Sequence, residues 1–196
     1  IVGNATPEAE QGLNMGRMIS LIGLESVKVP GMTVNRYCSS GLETIAIGTS
    51  KIKSGMANCI LAGGVEVMSR IPMGGWRVVP NQKIAIKHPD WYWGMGTTAE
   101  AIVEKYNISR EEQDEFAHES QQKANLAIDK KKFDDEIINN DTDEHPRSGI
   151  SINDLSKLNS VFKEKGTVTP GNSSGINDGA AAVVLTRREL AEKHNL

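Results

Sequence analysis

Short apolar runs bounded by glycine or proline mark the predicted strands of this chain. Residues 1–4 and 29–34 predict two strands, and residues 59–64 and 180–185 predict two more that are buried. Cys59 lies inside one of the buried runs. We therefore predict that Cys59 packs in the core and takes no part in chemistry.

Stretches with helical periodicity lie between and after these strands. They cover residues 7–24, 42–53, 97–106 and 109–131, and a final helix is predicted to follow a capping box at Thr186. Ser109 and Glu112 form a second capping box at the start of the longest helix, whose narrow apolar side includes Phe116. His118 lies on that helix among polar neighbours and is predicted to be exposed. The succession of strands and helices predicts an α/β protein.

Three stretches have no regular pattern. Residues 65–80 are broken by prolines and glycines yet carry apolar side chains, so they form either a lid or a surface covered by another chain. The aromatic residues 91–93 are predicted to pack a loop down. Residues 139–160 are polar and rich in turns, and their abrupt start at residues 139–141 leaves open whether a flexible insert is missing there.

The composition describes a globular chain and excludes several functions. Of the 196 residues, 38% are hydrophobic and 24% are charged, and the net charge of −3 argues against general binding of nucleic acids. No apolar run approaches the roughly 20 residues that cross a membrane, so we predict no membrane association. Residues 1–4 resemble the end of a buried strand more than a natural start, so the chain is expected to open within a domain.

The two cysteines are predicted to be free thiols. Cys38 and Cys59 are 21 residues apart and have no cysteine or histidine partner nearby, which fits neither a zinc site nor a dense disulfide framework. We therefore predict no bound metal. Reduced thiols indicate a cytoplasmic location.

Cys38 is the strongest candidate for chemistry. Residues 35–42, NRYCSSGL, follow a predicted strand and precede a predicted helix, so Cys38 lies at a turn near the helix N-terminus. A thiol beside exposed N–H groups and the positive end of the helix dipole loses its proton more readily, and the thiolate is the nucleophile. The apolar Tyr37 and Leu42 predict a partly closed site. A buried cysteine that only fills the core explains the local pattern equally well.

The loop of residues 166–175, GTVTPGNSSG, is a second candidate feature because it is rich in glycine and hydroxyl groups. Its small residues would let the backbone approach a ligand or a catalytic group closely. Turn geometry alone explains the glycines equally well, so the loop by itself identifies no ligand.

Five motifs, in order along the whole chain, resemble those of the thiolase family. They are residues 35–42 (NRYCSSGL), 63–69 (GGVEVMS), 95–100 (MGTTAE), 109–114 (SREEQD) and 171–180 (GNSSGINDGA). The resemblance implies a thiolase-like αβαβα layered fold. In that fold a mixed sheet presents the nucleophile at a strand–helix turn, and a mostly helical loop excursion is inserted.

The resemblance also implies a division into domains. Residues 1–69 would belong to the N-terminal thiolase domain, residues 70–165 to a CoA-binding loop domain, and residues 166–196 to the returning strand and helix. The C-terminal thiolase domain is expected to be absent from this sequence. The histidine that activates the nucleophile and the second cysteine that moves the proton would be absent with it.

The residues present are not expected to replace that missing machinery. The four histidines, His88, His118, His145 and His194, do not lie in matching contexts, and Cys59 does not substitute for the second cysteine. The 196-residue piece alone is therefore expected to have no thiolysis activity.

The resemblance implies Claisen chemistry on coenzyme A thioesters. Cys38 would attack the ketone-side carbonyl of a 3-ketoacyl-CoA, acetyl-CoA would leave, and the acylated cysteine would pass its acyl group to a second CoA. The synthetic direction condenses two acyl-CoA molecules. CoA would act as a substrate, with no cofactor needed, and the protein would be a homodimer or a homotetramer. The motif at Cys38 and residues 71–75 favour the degradative branch of this fatty acid chemistry.

Further roles are implied residue by residue. Ser174 and Gly175 match the loop that contacts the pantetheine arm of CoA, and Met95 matches another position on that side. Arg147 and Phe162 match positions near the CoA nucleotide and its adenine. Each also has a plain structural interpretation, Arg147 as a surface charge and Phe162 as a core residue.

Three other functions stay open. A ketoacyl synthase also presents a cysteine on a strand–turn–helix, a thiolase-like lipid carrier or scaffold keeps the fold without catalysis, and a cysteine hydrolase uses the same nucleophile. Retention of Cys38 argues against the carrier. Gly94 stands where many synthetic-type thiolases carry a histidine, so the resemblance does not extend to one CoA contact of that branch.

Overall fold

The structure is a computed structural model that describes residues 1–138 and 142–196. The predicted break at residues 139–141 lies outside the described residues. Among the helices that are described, none is long and apolar enough to cross a membrane.

Among the described elements, strands and helices alternate as far as Glu66, and four α-helices then precede the last strand. In chain order they are β1 (Val2–Gly3), α1 (Met15–Gly23), β2 (Thr33–Val34), α2 (Ser40–Lys53), β3 (Cys59–Glu66), α3 (Gln82–Lys87), α4 (Met95–Tyr106), α5 (Arg110–Asp129), α6 (Ile152–Ser156), β4 (Gly179–Thr186) and α7 (Arg188–Lys193). Short 3₁₀ helices cover Ala9–Gln11 and Pro89–Tyr92.

The chain forms two compact units. The first combines Ile1–Val79 with Ile176–Leu196 and holds all four strands, and the second is Pro80–Gly175. Both boundaries fall further along the chain than the predicted domain limits, after residues 69 and 165. The assignment of the units to the domains of a family stays a prediction.

The first unit is built on a four-stranded mixed sheet in the order β2-β1-β3-β4. β1 runs parallel to β2 and to β3, and β3 runs antiparallel to β4 over eight paired positions from Cys59↔Thr186 to Glu66↔Gly179. This arrangement confirms the predicted α/β class and mixed sheet.

Helix α2 packs on this sheet through small side chains. Its buried residues, Ser40, Thr44, Gly48 and Ile52, recur every four positions and therefore lie on one face. The Thr44 hydroxyl lies 3.1 Å from the carbonyl of Gly63 in β3, which ties the helix to the strand. The small face brings the helix close to the sheet and fixes the direction of its N-terminus.

Two predictions of burial in the sheet are wrong. β4 is an edge strand in the described part of the chain, and its Val184 is 64% exposed, because β4 pairs on one side only and no helix covers its outer face. Cys59 is exposed as well, because the next residue, Ile60, packs against Gly48 of α2 and successive side chains of a strand point to opposite faces, so Cys59 faces away from the helix.

The helical predictions are partly confirmed. The capping box of Ser109 and Glu112 is present, with both reciprocal hydrogen bonds, at 2.7 and 3.1 Å. The helix predicted over residues 7–24 instead begins at Met15, because Leu13 has a left-handed φ of +57° and Asn14 caps the following turn. The capping box at Thr186 is wrong, because Thr186 belongs to β4 and its hydroxyl donates to Asn58 O.

The second unit contains two helices that the sequence pattern did not predict. α3 is capped by Asn81, whose side chain accepts hydrogen bonds from Lys83 N and Ile84 N. α6 begins at a capping box of Ser151 and Asp154. Both helices are six residues or shorter, too short for an apolar period to become visible.

The predicted faces of α5 are also corrected. His118 is half-buried: its Nε2 lies 2.9 Å from Gln122 Nε2, and Gln121 and Asn125 of the same helix bind the backbone of Arg147. Phe116 is 78% exposed, because it lies two positions from His118 and points to the opposite side.

Candidate active site

Cys38 lies in a five-residue turn between β2, which ends at Val34, and α2, which begins at Ser40. Ser39 is the N-cap residue of α2, so Cys38 directly precedes the cap of the helix. The predicted placement of the cysteine at a strand–helix turn is therefore confirmed. A helix of 14 residues directs its N–H groups and the positive end of its dipole at this turn.

Hydrogen bonds hold the turn in a strained conformation. Tyr37 has a left-handed φ of +48°, which costs an L-residue on the order of 1 kcal/mol. Its N–H donates to Asn35 Oδ1 at 2.9 Å, and its carbonyl accepts from the hydroxyl and the N–H of Ser40 at 2.6 and 3.0 Å. This backbone kink turns the chain sharply out of the strand just before Cys38.

The thiol is open to solvent in the described chain. Cys38 is exposed, and the flanking Tyr37 and Leu42 are 75% and 72% exposed. The prediction of a partly closed site is therefore wrong for the residues described. The physical reason is the face that α2 buries, because Ser40 points into the sheet and Leu42, two positions later, points away from it.

Free N–H groups accompany the exposed thiol. Within the described part of the chain, the N–H groups of Gly41 and Leu42 donate to no protein acceptor, whereas the N–H of Ser40 is taken by Tyr37 O. Unpaired N–H groups in the first turn of a helix attract anions. This end of α2 can therefore stabilise a thiolate or an oxygen that gains negative charge.

Glycines bring the start of α2 against the sheet below it. A Cβ at Gly3 would lie 2.7 Å from the carbonyl carbon of Ser40 and 2.9 Å from Gly41 N, so no larger residue fits without movement. A Cβ at Gly64 would lie 3.7 Å from the α-carbon of Gly41, in ordinary contact. The position of the turn that carries Cys38 therefore depends on the glycine in β1.

A carboxylate fixes the loop that follows β3. Asp178 accepts hydrogen bonds from the N–H and the hydroxyl of Ser69, both at 2.7 Å. These bonds, first from the N–H and then from the hydroxyl, lower the pKa of Asp178 below its usual value of 3.8. The two motifs that contain Ser69 and Asp178 are thus joined directly.

The remaining predicted site residues lie in the second unit. The ring of Phe162 packs on Gly96, the residue after Met95, and leaves no room there for a Cβ. Phe162 is 48% exposed, so its interpretation as a core residue is wrong, and Met95 is 62% exposed. The structure therefore brings these two predicted CoA-side positions together on the surface of the unit.

Arg147 and the 166–175 loop are held by their backbones. Arg147 is exposed, its N–H donates to Gln121 Oε1 at 2.8 Å, and its carbonyl accepts from Asn125 at 3.1 Å. Ser174 is exposed at the end of the loop, and Gly175 is half-buried. The described hydrogen bonds of Arg147 use its backbone, and Ser174 lies at the surface. The contacts of these residues with CoA stay predictions.

Polar groups that were not predicted to be site residues anchor this loop. The carboxylate of Glu100, which is only 4% exposed, accepts from the N–H groups of Thr167 and Val168 at 2.9 and 2.8 Å. Asp114 and Asn172 form a second anchor, at 3.0 Å. Glu100, Asp114 and Asn172 each lie within a motif that resembles the thiolase family, and this was the signal in the sequence that could have identified them.

An open groove of about 830 Å³ lies at the other end of α2. Thr49, Ile52, Leu185 and Arg188 are among the residues that line it. Because it surrounds the C-terminal end of the helix, it does not include Cys38. Among the described residues, no cluster of three or more histidine, cysteine, aspartate or glutamate side chains could hold a metal ion.

Comparison with protein families identifies the class to which this fold and site belong. Residues 1–189 match the family described as "Thiolase, N-terminal domain". The chain belongs to the thiolase family, which confirms the resemblance and the thiolase-like fold class.

Individual relatives agree. The chain is 45% identical over 212 residues to a 3-ketoacyl-CoA thiolase of Bacillus subtilis (strain 168), covering 98% of this chain and 54% of the relative. It is 40% identical over 227 residues to a beta-ketoadipyl-CoA thiolase of Acinetobacter baylyi, covering 100% of this chain and 56% of the relative. It is also 38% identical to a beta-ketothiolase of Cupriavidus necator, with the same coverage. The chain spans about half the length of the curated relatives it matches.

Proposed function

We propose that the whole protein is an acyl-CoA acyltransferase that cleaves or forms 3-ketoacyl-CoA through an acyl group carried on Cys38. The observation that supports this most is the exposed thiol at a strained strand–helix turn, in a chain of the thiolase family. The relatives named as thiolases of 3-ketoacyl-CoA and beta-ketoadipyl-CoA supply the substrate class.

In the degradative direction the Cys38 sulfur forms a bond to the C3 carbonyl carbon, and the C2–C3 bond breaks. The electron pair of that bond takes up a proton at C2, and acetyl-CoA leaves. The thiol of a second CoA then attacks the acyl-cysteine and gives up its proton, so that a shortened acyl-CoA and the free Cys38 thiol are released. The N-terminus of α2 stabilises the charge on sulfur and on the carbonyl oxygen.

We propose that the proton transfers fall to the histidine and the second cysteine that the family resemblance implies. CoA serves as a substrate, and we propose no further cofactor and no metal. The chemistry requires a reduced thiol at Cys38, which supports a cytoplasmic location. The exposed apolar side chains of residues 72–79 support a homo-oligomer.

The test is the thiolysis of 3-ketoacyl-CoA substrates by the whole protein, with Cys38→Ala compared with Cys59→Ala. Both cysteines are free and exposed, so Cys59 is a matched control. Cys38→Ala should lower kcat/KM by on the order of a thousandfold or more, because the covalent path is lost. Cys59→Ala should stay near wild type. Substantial turnover in Cys38→Ala would overturn the proposal.

The products separate two of the competing functions from a thiolase. A thiolase releases acyl-CoA and needs CoA as the acceptor, whereas a cysteine hydrolase releases a free acid and does not. A carrier or scaffold would bind acyl-CoA without turnover. Assays over several acyl lengths, including 3-ketoadipyl-CoA, would then define the chain-length preference and the favoured direction.

A further inference from the structure

A buried ion pair lies at the start of α5. Arg110 Nε donates to Asp114 Oδ2 at 2.8 Å, and the Asp114 side chain is only 2% exposed. The other end of the guanidinium donates to the carbonyls of Leu155 and Leu158 at 2.6 and 3.1 Å. The pair therefore holds the end of α6 as well as its own helix.

Asn172 attaches the glycine-rich loop to the same carboxylate. Its amide nitrogen donates to Asp114 Oδ1 at 3.0 Å and to Thr167 O at 3.1 Å, while its amide oxygen accepts from Thr169 N at 2.7 Å. Thr169 is completely buried. One carboxylate thus receives hydrogen bonds from a helix residue on one side and from the loop on the other.

The chemistry of this cluster allows little substitution. Both oxygens of Asp114 face donors, so an asparagine of the same shape would place its NH₂ against either Arg110 or Asn172, whichever way the amide is turned. An aspartate at position 172 would place an oxygen against Asp114 and against Thr167 O. The cluster therefore specifies an acid at one position and an amide at the other.

The cluster lies between the segments that carry the predicted CoA contacts. Phe162 follows Leu158 by four residues, and Ser174 follows Asn172 by two. Between them Gly171 packs directly on Leu155 and Leu158, where a Cβ would lie 2.6 and 2.5 Å from their side chains. This packing and the shared carboxylate of Asp114 would fix the distance between Phe162, on the predicted adenine side, and Ser174, on the predicted pantetheine side.

We propose that Asp114 and Asn172 are positioning residues, which hold the loop of residues 166–175 and the segment 155–162 at the separation that CoA requires. The inference rests on the proposed function. The two residues position the segments that are predicted to contact the pantetheine arm and the nucleotide of CoA, and they do not contact the reacting atoms. Their loss therefore weakens CoA binding and leaves the chemical step nearly unchanged.

The test compares Asp114→Asn with Glu119→Gln in the whole protein. Glu119 lies on the same helix, is exposed and pairs with Lys123, so Glu119→Gln removes the same charge without touching the loop. We expect Asp114→Asn to raise the KM for CoA by about tenfold or more, with kcat within about threefold of wild type, and Glu119→Gln to change neither.

Two further measurements distinguish a positioning role from a purely structural role of Asp114. Alkylation of Cys38 by iodoacetamide reports on the first unit and should be equal in wild type and Asp114→Asn. Pantetheine, which lacks the nucleotide, should lose less affinity than CoA in the variant, because it spans only one of the two segments. A purely structural role would lower the melting temperature, and the variant would then lose the same affinity for pantetheine as for CoA.

Failure of the inference differs from failure of the proposed function. If wild type turns over 3-ketoacyl-CoA and a folded Asp114→Asn keeps the wild-type KM for CoA, the positioning role is wrong. If wild type shows no CoA-dependent turnover, the proposed function itself is wrong. Should Asp114→Asn fail to fold, Asn172→Ala keeps the Arg110–Asp114 pair and must show the same rise in the dissociation constant of CoA, measured by calorimetry.

Discussion

Asp178 is a single residue that joins two distant stretches of the first unit. Its bonds from Ser69 lower the pKa of the carboxyl below 3.8, so the ionised form is favoured in the native state. A depressed native pKa contributes stability above the unfolded pKa, and that stability is lost as the pH falls through the native pKa.

We predict that acid destabilises wild type more steeply than Asp178→Asn. The difference in the free energy of unfolding between the two proteins should be largest at neutral pH and should shrink as the pH falls below about 4. Ser69→Ala should be intermediate, because its N–H still binds the carboxylate. Urea unfolding at a series of pH values measures this, and parallel pH profiles for all three proteins would contradict it.

For single residues, the sequence predicted the place in the fold better than the exposure of the side chain. The signals for a strand and a helix on either side of Cys38 are local, so its place at the turn could be read from the letters. The exposure of Leu42 depends on which side of α2 is covered, and the exposure of Cys59 depends on which face of β3 is covered. That information lies in long-range packing and has no local signal.

At the scale of elements, the close approach of α2 to β1 determines the position of Cys38. Gly3 has no side chain, and its neighbour across the gap is the backbone of Ser40 and Gly41. Backbone cannot move aside as the end of a flexible side chain can. A methyl group at Gly3 must therefore displace the first turn of α2.

We predict that Gly3→Ala lowers both stability and activity. Forcing an extra carbon into a closely packed site costs about 1–3 kcal/mol, and the turn at Cys38 should shift with the helix. Gly23→Ala is the control, because a Cβ there meets nothing within 4 Å. Urea unfolding measures the stability, and thiolysis of 3-ketoacyl-CoA by the whole protein measures the activity. Equal behaviour of the two variants would show that the contact at Gly3 is not limiting.

Long elements with strong periodicity were predictable, and short or edge elements were not. The 20-residue α5 and its capping box were visible in the sequence because both signals are local and repeated. α3 and α6 were missed because six or fewer residues give no period. β4 was expected to be buried because its residues are small or β-branched. Such residues occur in edge strands as well as in central strands, so the composition does not tell the two apart.

At the scale of the whole molecule, the chain leaves much surface uncovered. Its accessible surface is 14623 Å², whereas two compact proteins of half its mass would together expose about 11,000 Å². Part of the excess is apolar and lies in residues 72–79, where Met73 and Trp76 are 61% and 69% exposed. The backbone there is nevertheless fixed, because Trp76 N donates to Glu8 at 2.7 Å.

We predict that residues 72–79 contribute to contacts between copies of the whole protein. Trp76→Ala should raise the dissociation constant of the dimer or tetramer by about tenfold or more, since exposed tryptophans are frequent hot spots. Phe116→Ala is the control, because it removes an exposed aromatic residue that lies among polar neighbours. Sedimentation over a range of concentrations gives the constants, and an unchanged constant for Trp76→Ala would place the interface elsewhere.

Transfer of an acyl group to Cys38 is the central claim, and mass spectrometry of the whole protein after incubation with acetyl-CoA tests it most directly. We predict an acetyl group on the peptide that contains Cys38, none on the peptide that contains Cys59, which is also exposed, and loss of the group when free CoA is added. An unmodified Cys38 under conditions of turnover, or equal acetylation of both cysteines, would contradict the account.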